Sequence, residues 1–136
     1  MRVDLAPGRA GGLVLAHPVV VAAGGGGYGS ELLEAVGELK PGAIITRSLT
    51  PGPHRGNPPP RMAPLPDGLL SSVGLQNPGL ETVLRRSAGR WAVSDVPVIV
   101  SICGETADDI AAMTRDLEVH PEVAGLELNL ACPDRS

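Results

Sequence analysis

The 136-residue sequence predicts an alternating α/β fold built on a parallel sheet, on three observations. Short β-branched runs alternate with amphipathic stretches along the whole chain. The core has almost no aromatic material: one Trp, one Tyr and no Phe stand within 43% apolar residues, so Leu, Val, Ile and Ala must fill it. With 18 Gly and 14 Pro the chain is loop-rich, yet too apolar to be disordered throughout. The length suits one domain.

Arg2 to Leu5 and Leu13 to Leu15 are short β-like runs around Pro7-Gly8 and Gly11-Gly12, which predicts a hairpin. Val19 to Ala23 is continuous and β-branched, the pattern of a strand buried on both faces. A glycine run, Gly24 to Gly29, follows. Ser30 can cap a helix that carries Leu32, Leu33, Val36 and Leu39 on one face and stops at Pro41-Gly42. Ala43 to Thr46 is the second strand of the alternation.

Periodicity is lost from Ser48 to Gly68, where seven prolines fall between Pro51 and Pro66, and the stretch reads as one long loop. Asn77 before Pro78 has the form of a helix N-cap followed by proline at the first helical position. Leu80, Val83, Leu84, Ser87 and Trp91 continue that helix face. Val96 to Ile102 is a third buried strand. Thr106 and Asp109 make a capping box for a helix with Ile110, Met113, Thr114 and Leu117 on one side. The last strand alternates Leu126, Leu128 and Leu130 with Glu127 and Asn129. The order β-α-β-loop-α-β-α-β implies parallel strands and right-handed crossovers, and four strands with three helices amount to half of a TIM (β/α)8 barrel preceded by a short β-hairpin.

Several function classes are disfavoured. A net charge of −4 and the lack of aromatics leave no footprint for nucleic acid. His17, His54 and His120 are scattered, and Cys103 and Cys132 sit on different strands outside any ligand cluster, so no metal site is expected and both thiols read as reduced. Neither the amino end nor Val19 to Ala23 supports a signal peptide or a membrane span, so the expected location is cytoplasmic. Gly24, Gly26 and Gly29 match G-x-G-x-x-G, but no acidic residue ends the following strand, so a dinucleotide site is not expected. Asn129, Cys132 and Asp134 gather near the carboxyl end of the last strand, where α/β enzymes put their chemistry.

Four motifs then carry a resemblance: Pro18 to Gly24 (PVVVAAG), Gly56 to Arg61 (GNPPPR), Gly74 to Gly79 (GLQNPG) and Glu127 to Pro133 (ELNLACP). In order and spacing they resemble class 1 dihydroorotate dehydrogenases, and GLQNPG looks most like class 1B, the NAD-linked branch. The resemblance spans essentially the whole chain. Members are FMN-containing barrels of roughly twice this length, so residues 1–136 would be the amino-terminal half of one, an incomplete domain. The expected activity is oxidation of dihydroorotate to orotate in pyrimidine biosynthesis. Other readings stay open: a related protein acting on a different small heterocycle, or a non-catalytic half-barrel assembly module.

The resemblance also implies roles. Cys132 would be the base that takes the C5 proton while C6 gives a hydride to flavin; a thiol with a reference pKa of about 8.5 needs neighbouring donors to act so at neutral pH. Ala22, Ala23, Gly24, Arg47, Ser48, Ser101 and Asn129 would line the flavin. Arg47, Ser71, Val73, Gly74, Leu75, Asn129 and Asp134 would face the substrate, with backbone amides of Val73 to Leu75 on its carboxylate. Cys103 is read as packing. Where the family has lysine this chain has Arg47, and Ser71 and Asp134 stand where asparagines are expected; Ala131 replaces a serine. The FMN phosphate would be held by the later barrel strands. Expected partners are an iron–sulfur and FAD electron-transfer subunit and either a second copy or a complementing carboxyl-terminal half.

Overall fold

The computed structural model describes residues 2–35 and 40–130. Eight strands and three helices follow in order: β1 Val3–Asp4, β2 Val14–Leu15, β3 Val20–Val21, α1 Ser30–Ala35, β4 Ala43–Ile45, β5 Met62–Leu65, β6 Gly68–Ser71, α2 Leu80–Ala92, β7 Val98–Ile102, α3 Ala107–Glu118 and β8 Val123–Leu128. The central sheet has the order β3-β4-β7-β8, and every pairing in it is parallel. Strands that neighbour in sequence also neighbour in space, with a helix in each connection. This is the amino-terminal part of a TIM-type barrel, as the alternation predicts. The expected hairpin is β1 against β2, with Val3 opposite Leu15 and Asp4 opposite Val14. Asp4 Oδ1 takes the amides of Ala6 and Leu13 across its loop.

The sheet has two faces with different work. Val98, Val100 and Ile102 of β7 pack outward against Leu80, Val83 and Trp91 of α2 and Met113 and Leu117 of α3. Ile99 points the other way, to Leu15 of the hairpin and Ala43, so the β1-β2 hairpin closes one end of the inner face. Alternation along a strand, and equal facing of register partners, produce this division. β7 is buried along its full length, the expected state of a central parallel strand. α3 begins at Thr106 with the predicted capping box: Thr106 Oγ1 accepts from Asp109 N, and the Asp109 carboxylate accepts from Thr106 N.

Four local expectations are corrected. Val19 to Ala23 is not buried on both faces: Val19 is 63% exposed and only Val20 and Val21 pair, because β3 is a sheet edge. Ser48 to Gly68 is not wholly loop, since Met62–Leu65 pairs with Gly68–Ser71 around Pro66-Asp67, a turn sequence whose signal was outweighed by the proline count. Asn77 does not cap α2. That helix starts at Leu80 with Gly79 in the cap position and no side-chain cap bond. The apolar side of the last strand stays partly open. Leu126 and Leu128 lie on the face of their register partners Val100 and Ile102 and are 36% and 48% exposed. Ser30 is the first residue of α1 rather than its cap. Val36 and Leu39 lie outside the described residues.

Trp91 closes the outer core. It is buried, and its Nε1 donates to the Tyr28 carbonyl at 3.1 Å, tying α2 to the glycine loop. Trp91→Phe keeps most of the packing but leaves that carbonyl unpaired. It should cost about 1–2 kcal/mol of stability, read by urea unfolding followed by circular dichroism; an unchanged midpoint would contradict the bond's role.

Candidate active site at the strand ends

The site begins where the ladder between β4 and β7 breaks. Thr46 N still donates to Ile99 O at 3.0 Å, but the next donor on β7, Ser101 N, is met by the Thr46 side chain, Oγ1, at 3.0 Å. A hydroxyl therefore stands in for a backbone carbonyl. Arg47 leaves the sheet, its N–H turning to Gly27 O at 2.8 Å, and the chain rejoins at Leu49, whose N–H donates to Ser101 O at 2.9 Å. Local excursions of this kind re-aim side chains at strand ends. Arg47 and Ser48 are the pair that is re-aimed.

Ser48 is the junction that results. Its Oγ lies 2.9 Å from Ser101 Oγ and accepts from Asn129 Nδ2 at 2.9 Å. Ser101 is fully buried on β7, while Ser48 and Asn129 are half-buried at the carboxyl ends of β4 and β8. Asn129 N is held by Ile102 O at 2.9 Å, so both its backbone and its amide are fixed. Three predicted residues from three adjacent strands thus form one hydrogen-bonded row.

Beside this row, Ala22, Ala23 and Gly24 form the turn after β3 and are exposed. Gly24 has φ 95°, and a Cβ built there would meet nothing within 4 Å, so a flat ligand can approach this backbone closely. Small residues, a hydroxyl and an oriented carboxamide give this corner both an open flat approach and a polar edge.

A second group lies across Arg47. Arg47 Nη2 donates to Gln76 O at 3.3 Å, joining the strand-end row to the segment that follows β6. In that segment Gly74 and Leu75 have φ values of 70° and 55°. A side chain at Gly74 would run into the Asn57 carboxamide at 2.5 Å. Asn57 N in turn donates to Val73 O at 3.0 Å, and the Arg61 guanidinium bonds Asn57 O, Arg55 O and Gln76 Oε1. The proline-rich loop is therefore stitched to residues 73–76. Ser71 sits apart from these contacts on the exposed β5-β6 hairpin. Cys132 and Asp134, and with them Ala131, lie outside the described residues. Cys103 directly follows β7 and is buried, its N–H donating to Leu49 O at 2.8 Å.

Sequence reading missed Thr46, Asn57, Arg61 and Gln76 as parts of the site. Asn57 and Arg61 were visible inside GNPPPR only as a signature. Thr46 gave no signal, because a threonine ending a strand normally only packs. Among the described residues there is no group of three or more His, Cys, Asp or Glu that could hold a metal, and no helix long and apolar enough to cross a membrane.

Arg47 has an electrostatic reporter in Tyr28. Burial raises the Tyr28 phenol above its ordinary 10.0, Arg47 pulls it partly back, and Glu31 pushes it up. A phenol kept neutral by the fold contributes its full stability below the unfolded value of about 10 and loses it as pH rises through the folded value. Arg47→Met should move the Tyr28 titration further up, followed by NMR of 13C-labelled tyrosine; a downward shift would place Arg47 elsewhere.

Comparison with known proteins gives the family. The family model described as "Dihydroorotate dehydrogenase" matches residues 9–136. The catalytic subunit of dihydroorotate dehydrogenase B (NAD(+)) from Desulforudis audaxviator is 44% identical over 123 residues, 90% of this chain and 40% of that protein. The subunit of the same name from Thermoanaerobacter pseudethanolicus is 43% identical over 91% of the chain and 41% of its own length. The chain thus spans about two fifths of these relatives. A solved dihydroorotate dehydrogenase from Eimeria tenella, in complex with ferulenol, superposes with a TM-score of 0.68 over 94% of this chain and 37% of that one; at 24% identity it speaks to the fold alone. With its parallel half-barrel and its strand-end motifs in register, the chain belongs to the dihydroorotate dehydrogenase family.

Proposed function

We propose that this chain supplies the amino-terminal half of an FMN-dependent oxidoreductase that converts dihydroorotate to orotate. One observation carries the reading: the Ser101–Ser48–Asn129 row at the mouth of three parallel strands, which Arg47 links to the turn at residues 73–76. A row of neutral hydrogen-bonding groups beside an open backbone turn suits a flavin. The turn with two consecutive positive φ values suits a carboxylate held by backbone amides.

In this reading Ala22, Ala23, Gly24, Ser48, Ser101 and Asn129 hold the flavin ring, and Arg47 contributes the positive charge beside it. FMN bound there would take up the hydride equivalent from the substrate ring. Asn129 orients the pyrimidine through its fixed carboxamide. Val73, Gly74 and Leu75 bind the carboxylate through the main chain. Cys132, three residues beyond Asn129, removes the C5 proton as thiolate, with general-base catalysis of this type contributing on the order of 10²–10⁴ in rate. Arg47 presents a planar fork where a lysine would present a compact ammonium, so its contacts to the ring carbonyls are geometrically restricted.

Ser71 belongs to the substrate side only through the family pattern, since the exposed β5-β6 hairpin holds it apart from the 73–76 turn. A hydroxyl there, in place of a carboxamide, offers a pyrimidine edge fewer donors and acceptors, and a related small heterocycle is the second reading. Asp134 adds a carboxylate near an anionic substrate, a juxtaposition that Arg47 would have to offset.

The open edges of the sheet, β3 and β8, and the exposed Leu126 and Leu128 provide the surface on which a carboxyl-terminal half completes the barrel. The relatives are catalytic subunits by name, and an iron–sulfur and FAD electron-transfer subunit is the corresponding partner proposed here. A cytoplasmic setting goes with that assignment.

Two outcomes test the proposal. The assembled full-length protein, mixed with dihydroorotate under inert gas, should show bleaching of its flavin absorbance; Cys132→Ala should keep flavin bound and slow the bleaching by about a hundredfold or more. Equal rates would reduce Cys132 to packing, and no bleaching in the wild type would remove the orotate reading. The 136-residue chain alone should purify without stoichiometric flavin; a yellow one-to-one complex would show that the second half is dispensable for binding.

A further inference from the structure

Asn77 is 5% exposed and sits inside GLQNPG, where its spacing to Pro78 suggested a helix cap. Its contacts serve something else. Oδ1 accepts from Thr50 N at 3.2 Å and from Gly79 N at 2.9 Å, and Nδ2 donates to Leu75 O at 2.8 Å. Two N–H donors on one side and a carbonyl on the other fix which atom is oxygen and which is nitrogen. Its backbone is pinned as well, through His54 N to Asn77 O at 2.9 Å and Asn77 N to His54 O at 3.0 Å. This buried carboxamide therefore ties three pieces of chain together: the strand-end loop at Thr50, the start of α2, and the carbonyl of Leu75.

Leu75 has a φ of 55°, the only positive value at a non-glycine among the described residues. An L side chain rarely holds that conformation without support, and such outliers persist only where the surroundings over-determine them. The Nδ2 bond is support of that kind, made directly to the strained residue's own carbonyl. The next residue, Gln76, is the one whose carbonyl receives Arg47 and whose side chain receives Arg61.

We propose that Asn77 is the positioning residue of the carboxylate-binding turn: its bond to Leu75 O holds the left-handed conformation on which the amide cradle at Val73 to Leu75 depends. The inference rests on the substrate reading given above and adds to it the device that makes an anion site from main chain alone. Asn77 touches neither substrate nor flavin in this account. It acts through Leu75.

The discriminating variant is Asn77→Asp, which keeps Oδ1 as acceptor for Thr50 and Gly79 and replaces the donor to Leu75 by a second acceptor. In the assembled, flavin-loaded full-length protein, the probes are orotate and uracil, the same ring without the carboxylate, titrated by the change in flavin absorbance. Asn77→Asp should weaken orotate about tenfold, the scale of one lost supporting hydrogen bond, and leave uracil unchanged. Adding Leu75→Gly should restore most of the loss, because glycine adopts that φ without a tether. Leu75→Val alone, which makes the conformation harder to hold, should reproduce the selective loss and covers the case in which Asn77→Asp fails to fold. Equal weakening of both probes, unaltered orotate binding in Asn77→Asp, or no recovery on adding Leu75→Gly would each overturn the inference. Wild-type protein that does not bind orotate would remove the substrate reading and this inference with it, whereas wild-type binding with unaffected variants would remove the inference alone.

Discussion

The Thr46 hydroxyl, standing in for a backbone carbonyl opposite Ser101 N, is the constraint from which the rest of the site follows. A parallel ladder that continued past Ile45 would alternate its side chains strictly, one to the helices and one to the barrel interior. By taking the Ser101 amide on its side chain, Thr46 releases the next two residues without leaving a buried donor unsatisfied, which would cost about 1–3 kcal/mol. Ser48 can then reach Ser101 and Asn129, and Arg47 can reach Gln76. The sheet fixes where the strand ends are; the break in the ladder determines what they present.

The two faces of the sheet divide stability from chemistry. The outer face is mainly aliphatic and covered by α2 and α3, with Trp91 buried in it and Tyr28 packed against it. The inner face is aliphatic only near the hairpin, at Leu15, Ala43 and Ile99, and turns polar at Ser101 and Asn129. Apolar residues at the bottom and hydrogen-bonding ones at the mouth are what a barrel enzyme requires, since the interior must pack and the carboxyl end must bind. The row is tied together by two hydrogen bonds of its own, which orients its groups before any ligand arrives.

Much of this was legible in the sequence, for physical reasons. The β-branched run Val98 to Ile102, the capping box at Thr106 and Asp109, and the helix face from Leu80 to Trp91 are set by local chemistry and appear where periodicity places them. Asn129, Ser48 and Ser101 were assigned through motif likeness, and their convergence follows from three neighbouring parallel strands ending together. What escaped depended on distant contacts. The β5-β6 hairpin is held by cross-strand pairing that a count of prolines cannot see. Asn77 looks like a cap because an asparagine before proline usually is one, and only the neighbourhood of Thr50 and Leu75 gives it another task. For Leu126 and Leu128, alternation gives a shared face but not what covers it, and the structure leaves both partly exposed.

The measurement that bears most directly on this account is a crystal structure of the assembled full-length protein with FMN. The account predicts the isoalloxazine edge within hydrogen-bonding distance, about 3 Å, of the Asn129 carboxamide or Ser48 hydroxyl, with its face against the Ala22 to Gly24 turn. A flavin bound away from the ends of β4, β7 and β8, with the Ser101–Ser48–Asn129 row buried under protein instead, would contradict it.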